Sequence, residues 1–282
     1  FPAGGVYYSE FILTRAPLAR NRSSESERHR QRNGWTWQTS ESEPHSTSDD
    51  RICAPVECRP LRASSRLSTK VQHMPTLLHI EASPLKPRSH TIETARAFLS
   101  AYAESHPDDT IETVDLWTET LPPFDGTTID AKFAVLRRNE FTPPQAARWR
   151  AVREVSRRFN NADKYVFSVP MWNFGIPYPL KHYIDVVTLA GENWTWTRED
   201  GYRSLLTGKK AVLIYSSAGA YPLALPPDPA DFQKPYLRHW LSFIGIRDIE
   251  EINVAPTLAD PEVVSRVRSA ARARGIALAH SF

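Results

Sequence analysis

The sequence predicts an α/β fold, a doubly wound five-stranded parallel sheet of order 2-1-3-4-5 with helices on both faces, carried by residues 74–282. Three observations predict it. From Thr76 onward, short apolar runs alternate with amphipathic helical patterns, the signature of a parallel sheet covered on both sides. Five such βα units occupy about 200 residues, which suits one domain of this kind. Finally, composition divides the chain at Met74, so the alternating part is read by itself.

The expected strands are 76–81, 110–115, 164–169, 211–215 and 248–254. Between the first two, Ile92, Ala95, Leu99 and Tyr102 mark one helix face. Trp149, Val152, Val155 and Phe159 mark the next, again at spacings of three to four. Leu180, Ile184 and Val187 form a third stripe, and Leu237, Trp240, Leu241 and Ile244 a fourth, closed by Gly245 as a left-handed stop. Asp260-Pro261-Glu262 starts a last helix, whose buried face is expected at Val263, Val264, Val267 and Ala271. This makes five strands and five helices. In such a sheet ligands sit outside the carboxyl ends of the strands, so function belongs to the loops after the first, third and fourth strands.

Of the 35 basic and 32 acidic residues, residues 1–73 hold 11 and 8, leaving 24 of each in 74–282. A zero balance argues against nucleic-acid binding, which needs a basic face, and the expected partner is a small molecule. Residues 23–50 are too polar to offset the entropy of ordering. Residues 1–73 are therefore expected to be a disordered or non-native extension, with Met74 the true start; the eight acids speak against a transit peptide. Cys53 and Cys58 make neither a zinc site nor a disulfide framework. No membrane span or signal h-region is read, and the chain is expected to be cytoplasmic.

Three loops carry chemistry. After the first strand, Ser83 and the run Ser89, His90, Thr91 place hydroxyls at a helix N-terminus, where free N–H groups suit a phosphate; helix capping by Ser89 and Thr91 explains them equally well. Neither a G-x-G-x-x-G nor a Walker pattern occurs. After the third strand, Pro170, Met171, Trp172, Asn173, Phe174 and Gly175 put large apolar groups where a link is usually polar. Such a loop suits the face and heteroatom edge of a flat ring, or is ordinary core. After the fourth, Ser216, Ser217, Ala218 and Gly219 let backbone approach a ligand.

Pro170 to Phe174 running into Leu180-Lys181-His182-Tyr183-Ile184-Asp185, with Leu206-Thr207-Gly208-Lys209-Lys210, Pro235-Tyr236-Leu237 and Phe243-Ile244-Gly245-Ile246, resembles the FMN-dependent NADH:quinone oxidoreductases, or azoreductases, of flavodoxin-like fold. The resemblance covers essentially residues 75–282. It implies non-covalent FMN, with the phosphate at Ser83 and at Ser89, His90 and Thr91, and the ring at Met171, Trp172, Asn173 and Phe174. The segment Ser216, Ser217, Ala218, Gly219 stands where the family commonly has Ser-Arg-Gly-Gly, so Ser217 removes a charge. The implied activity is ping-pong transfer of two electrons from NADH, through FMN, to quinones or azo compounds, without a catalytic acid or base from the protein. Trp194, Trp196 and Trp240 are candidate substrate-pocket walls. A homodimer is implied, with Trp149, Trp194 and Trp196 as aromatic surface to bury. Lys181 and Asp185 read as a structural i, i+4 pair. The rival reading is a flavodoxin-type electron carrier, which the zero charge balance disfavours. A phospho-acceptor domain is excluded because Glu81 stands alone at the end of the first strand.

Overall fold

The computed structural model describes residues 74–282; the expectations about the extension and its cysteines lie outside the described residues. Strands β1 (Thr76–Glu81), β2 (Thr110–Asp115), β3 (Lys164–Pro170), β6 (Lys210–Ser216) and β7 (Asp248–Val254) form one sheet in the order β2-β1-β3-β6-β7. All four pairings are parallel. In chain order of these five strands this is the expected 2-1-3-4-5. The central strands β3 and β6 are buried along nearly their whole length, whereas β2 and β7 at the edges are mostly half-exposed.

Helices cover both faces. On one, α1 (His90–Ser105) and α6 (Pro261–Ala279) close a core of Leu77, Phe98, Tyr102, Val166, Val212 and Ile214. On the other, α3 (Pro143–Asn161), α4 (Tyr178–Val187) and α5 (Lys234–Ile244) pack Phe159, Leu180, Leu237 and Leu241 against Leu78, Ile80, Phe167 and Leu213. None of the described helices is long and apolar enough to cross a membrane.

Three expectations need correction. Helix α2 (Gly126–Arg137) was not anticipated, because it buries only Thr128, Ala131 and Ala134 and leaves Ile129, Phe133 and Leu136 exposed. Its one readable signal is Asp125, whose carboxylate accepts from the Thr128 N–H at 3.1 Å as an N-cap. A two-stranded antiparallel hairpin, β4 (Trp194–Thr197) with β5 (Gly201–Ser204), also stands between α4 and β6. In α6 the valines are only half-buried, and Ala271, Gly275, Leu278 and Ala279 form the buried face. At Gly275 an added Cβ would meet the Thr94 carbonyl of α1 at ordinary van der Waals distance, 3.6 Å, so the packing of α6 on α1 does not require glycine there.

Gly245 ends α5 as expected, at φ +112°. A Cβ here would lie 1.9 Å from the Leu206 carbonyl oxygen, so no side chain fits.

Candidate active site

The loops after β1, β3 and β6 leave three adjacent strands at their carboxyl ends. Backbone bonds run past the strands and hold them together: Ala82 N–H to Ser168 O at 3.0 Å and Met171 N–H to Ser216 O at 2.7 Å. From β1 the chain crosses to β2, and from β3 it crosses the other way to β6, so a crevice opens between β1 and β3.

In the first loop Ser83 is buried, and a 3-10 turn (Lys86–Arg88) leads into α1. Ser89 caps α1: its Oγ accepts from the Ile92 N–H at 3.5 Å and lies 3.0 Å from Thr91 Oγ1, both residues buried. The capping reading is therefore realised for Ser89, while the Thr91 hydroxyl meets only that of Ser89. The N–H groups of His90 and Thr91 keep no backbone partner among the described residues, as the first turn of a helix must. His90 Nδ1 is buried without a partner there, and burial, with the Arg268 charge second, lowers the His90 pKa. The ring is accordingly neutral near neutral pH and presents a donor or acceptor rather than a charge.

The third-strand loop is a tight hairpin. Trp172 and Gly175 exchange both backbone hydrogen bonds, at 3.0 and 2.9 Å, around Asn173 (φ +46°) and Phe174 (φ +70°). Left-handed conformation is ordinary for Asn but costly for Phe, about 1 to 2 kcal/mol relative to glycine. Such strain persists where the surroundings impose it, often at functional sites. Both residues are exposed, Phe174 at 53 %, and their N–H groups have no partner among the described residues. Met171 and Trp172 are half-buried beside them, as is Pro170 at the end of β3.

In the loop after β6, Ser216 and Ser217 are buried while Ala218 and Gly219 are exposed. Ser217 Oγ donates to the Gly219 carbonyl at 2.8 Å, and the Ser217 carbonyl accepts from Thr257 N–H at 2.9 Å. The loop returns through Phe232, whose N–H reaches the Phe174 carbonyl at 2.9 Å. Below it, Lys234 Nζ pairs with Asp231 at 2.8 Å, both side chains buried, and Gln233 Nε2 donates to Val169 O at 3.0 Å. These supports escaped the sequence reading, since isolated polar residues before a helix resemble any surface loop.

Also missed was Trp117, just beyond β2. Its N–H bonds Asp115 Oδ1 and its indole N–H bonds the Ala82 carbonyl, each at 3.1 Å. Beneath it, Lys86 pairs with Asp115 and lies 3.8 Å from Glu81. Burial of Asp115 would raise its pKa, but the hydrogen bonds from Lys86 and the Trp117 N–H outweigh that and hold it below the usual carboxylate range. Glu81 thus does not stand alone at this edge, but Lys86 occupies the acids.

The expected pocket walls do not gather here. Trp240 is 5 % exposed, packed between Phe159 and Phe167 with its indole N–H on Thr188 Oγ1 at 2.9 Å, so it is core rather than wall. Trp194 packs on Tyr202 and Phe243, and Trp196, 56 % exposed, shares its hairpin. That hairpin lies at the amino end of β6, where Leu206 N–H bonds the Ile244 carbonyl ending α5. Seven residues of β6 put it about 23 Å from the carboxyl-end loops. Trp149, expected to offer surface, is buried against Val152, Val186 and Leu189. Lys181 and Asp185 do pair, at 2.6 Å, on the exposed side of α4. Among the described residues no cluster of His, Cys, Asp or Glu could hold a metal.

A family described by its flavodoxin-like fold matches residues 75–277. An FMN-dependent NADH:quinone oxidoreductase of Desulfotalea psychrophila is 40 % identical over 206 residues, 73 % of this chain and 97 % of that protein. One from Nitratidesulfovibrio vulgaris is 39 % identical over 208 residues, 73 % and 99 % of the two chains. Among solved structures, an azoreductase from Bacillus anthracis superposes with a TM-score of 0.66 at 27 % identity, covering 74 % of this chain and all of that one. An FMN-dependent NADH-azoreductase of the same species, in complex with FMN, gives 0.64 at 28 %, covering 73 % and 100 %. The sheet order, the three adjoining loops and the extent of these likenesses agree: the chain belongs to the FMN-dependent NADH:quinone oxidoreductase family of flavodoxin-like fold.

Proposed function

We propose that this protein is an oxidoreductase that binds FMN non-covalently and passes two electrons from NADH to quinones and azo compounds, donor and acceptor using one site in turn. The observation that carries the reading is the strained Asn173–Phe174 turn, held between the N-terminus of α1 and the small residues Ser217 to Gly219 with its two N–H groups unpartnered among the described residues. The donor set fits FMN. One helix N-terminus with hydroxyls suits a single phosphate, the buried His90 Nδ1, unpartnered among the described residues, lies beside it, and no glycine-rich pyrophosphate turn accompanies it. When bound, FMN supplies the two-electron chemistry.

The residues of the chain do the rest. The N–H groups of His90 and Thr91, with the hydroxyls of Ser83, Ser89 and Thr91, hold the phosphate without a cation. The amides of Asn173 and Phe174 donate to the heteroatom edge of the ring, while Met171 and Trp172 wall it and exclude water. Ser217, uncharged and turned to Gly219, leaves this part of the site neutral. Trp194 and Trp196 lie at the far end of the chain's own sheet, so they border such a site only from a second copy, as in a homodimer.

The purified protein should be yellow with the spectrum of FMN, and rates with NADH and a quinone should give parallel double-reciprocal lines. Intersecting lines overturn the shared site, and a reduced flavin that serves only another protein favours a carrier.

A further inference from the structure

We infer that Trp117, Trp172 and Tyr178 form a second ring-binding station, which takes the distal rings of an extended flat acceptor. It rests on the proposed activity and names the substrate class within it: acceptors with two or more fused aromatic rings. The three rings stand in a triangle, Trp117 to Trp172 at 5.7 Å, Trp117 to Tyr178 at 5.6 Å and Trp172 to Tyr178 at 6.4 Å between centroids. A core cluster of this size would be covered. Here Tyr178 is 69 % exposed, and Trp117 and Trp172 are half-buried.

The rings are also fixed in advance. Trp117 is tied at its backbone N–H to Asp115 and at its indole N–H to Ala82. Tyr178 sits between the buried Pro177 and Pro179 at the start of α4, so its backbone has little freedom. Aromatic surface that is rigid before binding loses little entropy on capturing a ligand. Trp172 belongs at once to this cluster and to the Asn173–Phe174 loop, which makes the two regions continuous. Trp117 follows β2, one strand beyond β1, but its indole reaches back to the Ala82 carbonyl at the end of β1, so the station adjoins the β1–β3 crevice and one extended ring system can span both. The nearby carboxylates Asp115 and Glu81 face Lys86, so they do not impose an unpaired negative field on an electron-rich or anionic dye.

The test uses the full chain as purified, without NADH, titrated calorimetrically with anthraquinone-2-sulfonate (three rings) and tetramethyl-1,4-benzoquinone (one ring). Tyr178→Ala and Trp117→Leu should each raise the ratio of the two dissociation constants, three-ring over one-ring, about tenfold. Tyr178 is exposed, so its variant keeps the measurement decisive if Trp117→Leu fails to fold. An unchanged ratio in a folded variant overturns the station. Failure of the unaltered protein to oxidise NADH with either quinone would instead overturn the proposed activity, and the calorimetric ratio would still decide the station.

Discussion

The two ends of the sheet treat left-handed backbone differently. At the amino end and in the hairpin beside it, positive φ falls on Gly191, Gly201, Gly208 and Gly245. In the loops at the carboxyl end it falls on Lys86, Asn173 and Phe174, none of them glycine, and a further non-glycine case, Arg138, stops α2. Glycine takes that conformation without steric cost, and the amino end uses it to turn the chain and close the core. The carboxyl end carries that cost at Asn173 and Phe174 in a loop beside the crevice, the kind of place where surroundings hold a strained backbone. Polar groups do not divide in the same way. Trp240, Tyr165 and Asn193 deep in the fold have their donors satisfied, but among the described residues the buried Tyr183 hydroxyl and Trp194 indole N–H have no partner, as the exposed Asn173 and Phe174 amides have none.

Substitutions at the two ends should therefore have opposite characters. The largest effect is expected for Gly245→Ala, which forces a Cβ onto the Leu206 carbonyl and should cost about 3 to 5 kcal/mol in urea unfolding. A loss below about 1 kcal/mol would mean that this end is as adaptable as the other. Ser89→Ala with Thr91→Ala should weaken FMN by about 1 to 3 kcal/mol in a flavin titration, as two hydroxyls to a charged phosphate are lost; unchanged affinity leaves them as caps alone. Phe174→Gly relieves the strained turn, so stability should stay level or rise by about 1 kcal/mol while flavin binding weakens. A fall in stability there would show that the turn is structural rather than strained for use.

A pH series separates the sheet interior from its edge. His79 is fully buried against Ser168, Nε2 to Oγ 2.7 Å, and burial, with the Arg96 charge second, lowers its pKa to about 3. A histidine kept neutral in the fold but protonated on unfolding stabilises the protein above its unfolded pKa near 6.5, and that stability is lost progressively as pH falls toward 3. Between pH 6.5 and 4 the unfolding free energy should drop, and His79→Gln should flatten that slope. The smallest effect is expected from deleting residues 1–73: residues 74–282 contain both cores and all three loops, so melting temperature and flavin content should not change.

Much of this was legible in the chain. All five parallel strands were found within a residue: β1, β3 and β6 as apolar runs dictated by burial on both faces, and the half-exposed edge strands β2 and β7 by their place in the alternation of strand and helix. Gly245 was readable because a left-handed helix stop favours glycine. The flavin-loop candidates Ser83, Ser89, His90, Thr91 and Pro170 to Phe174 do lie on neighbouring strands, since the order of βα units fixes which carboxyl ends adjoin. Helix α2 was not legible, as its apolar residues face outward and its buried ones are Thr and Ala.

By itself the sequence determined the alternation of strand and helix, the strand order and which loops adjoin at the carboxyl end of the sheet, because these follow from local period and from chain connectivity. Only the tertiary structure decided where each aromatic side chain went. Tryptophan has the same composition signal in a core, at a hairpin or beside a crevice, and Trp240, Trp196 and Trp117 occupy these three places in turn. Their separation depends on which elements pack together across long stretches of chain, and no local pattern records that packing.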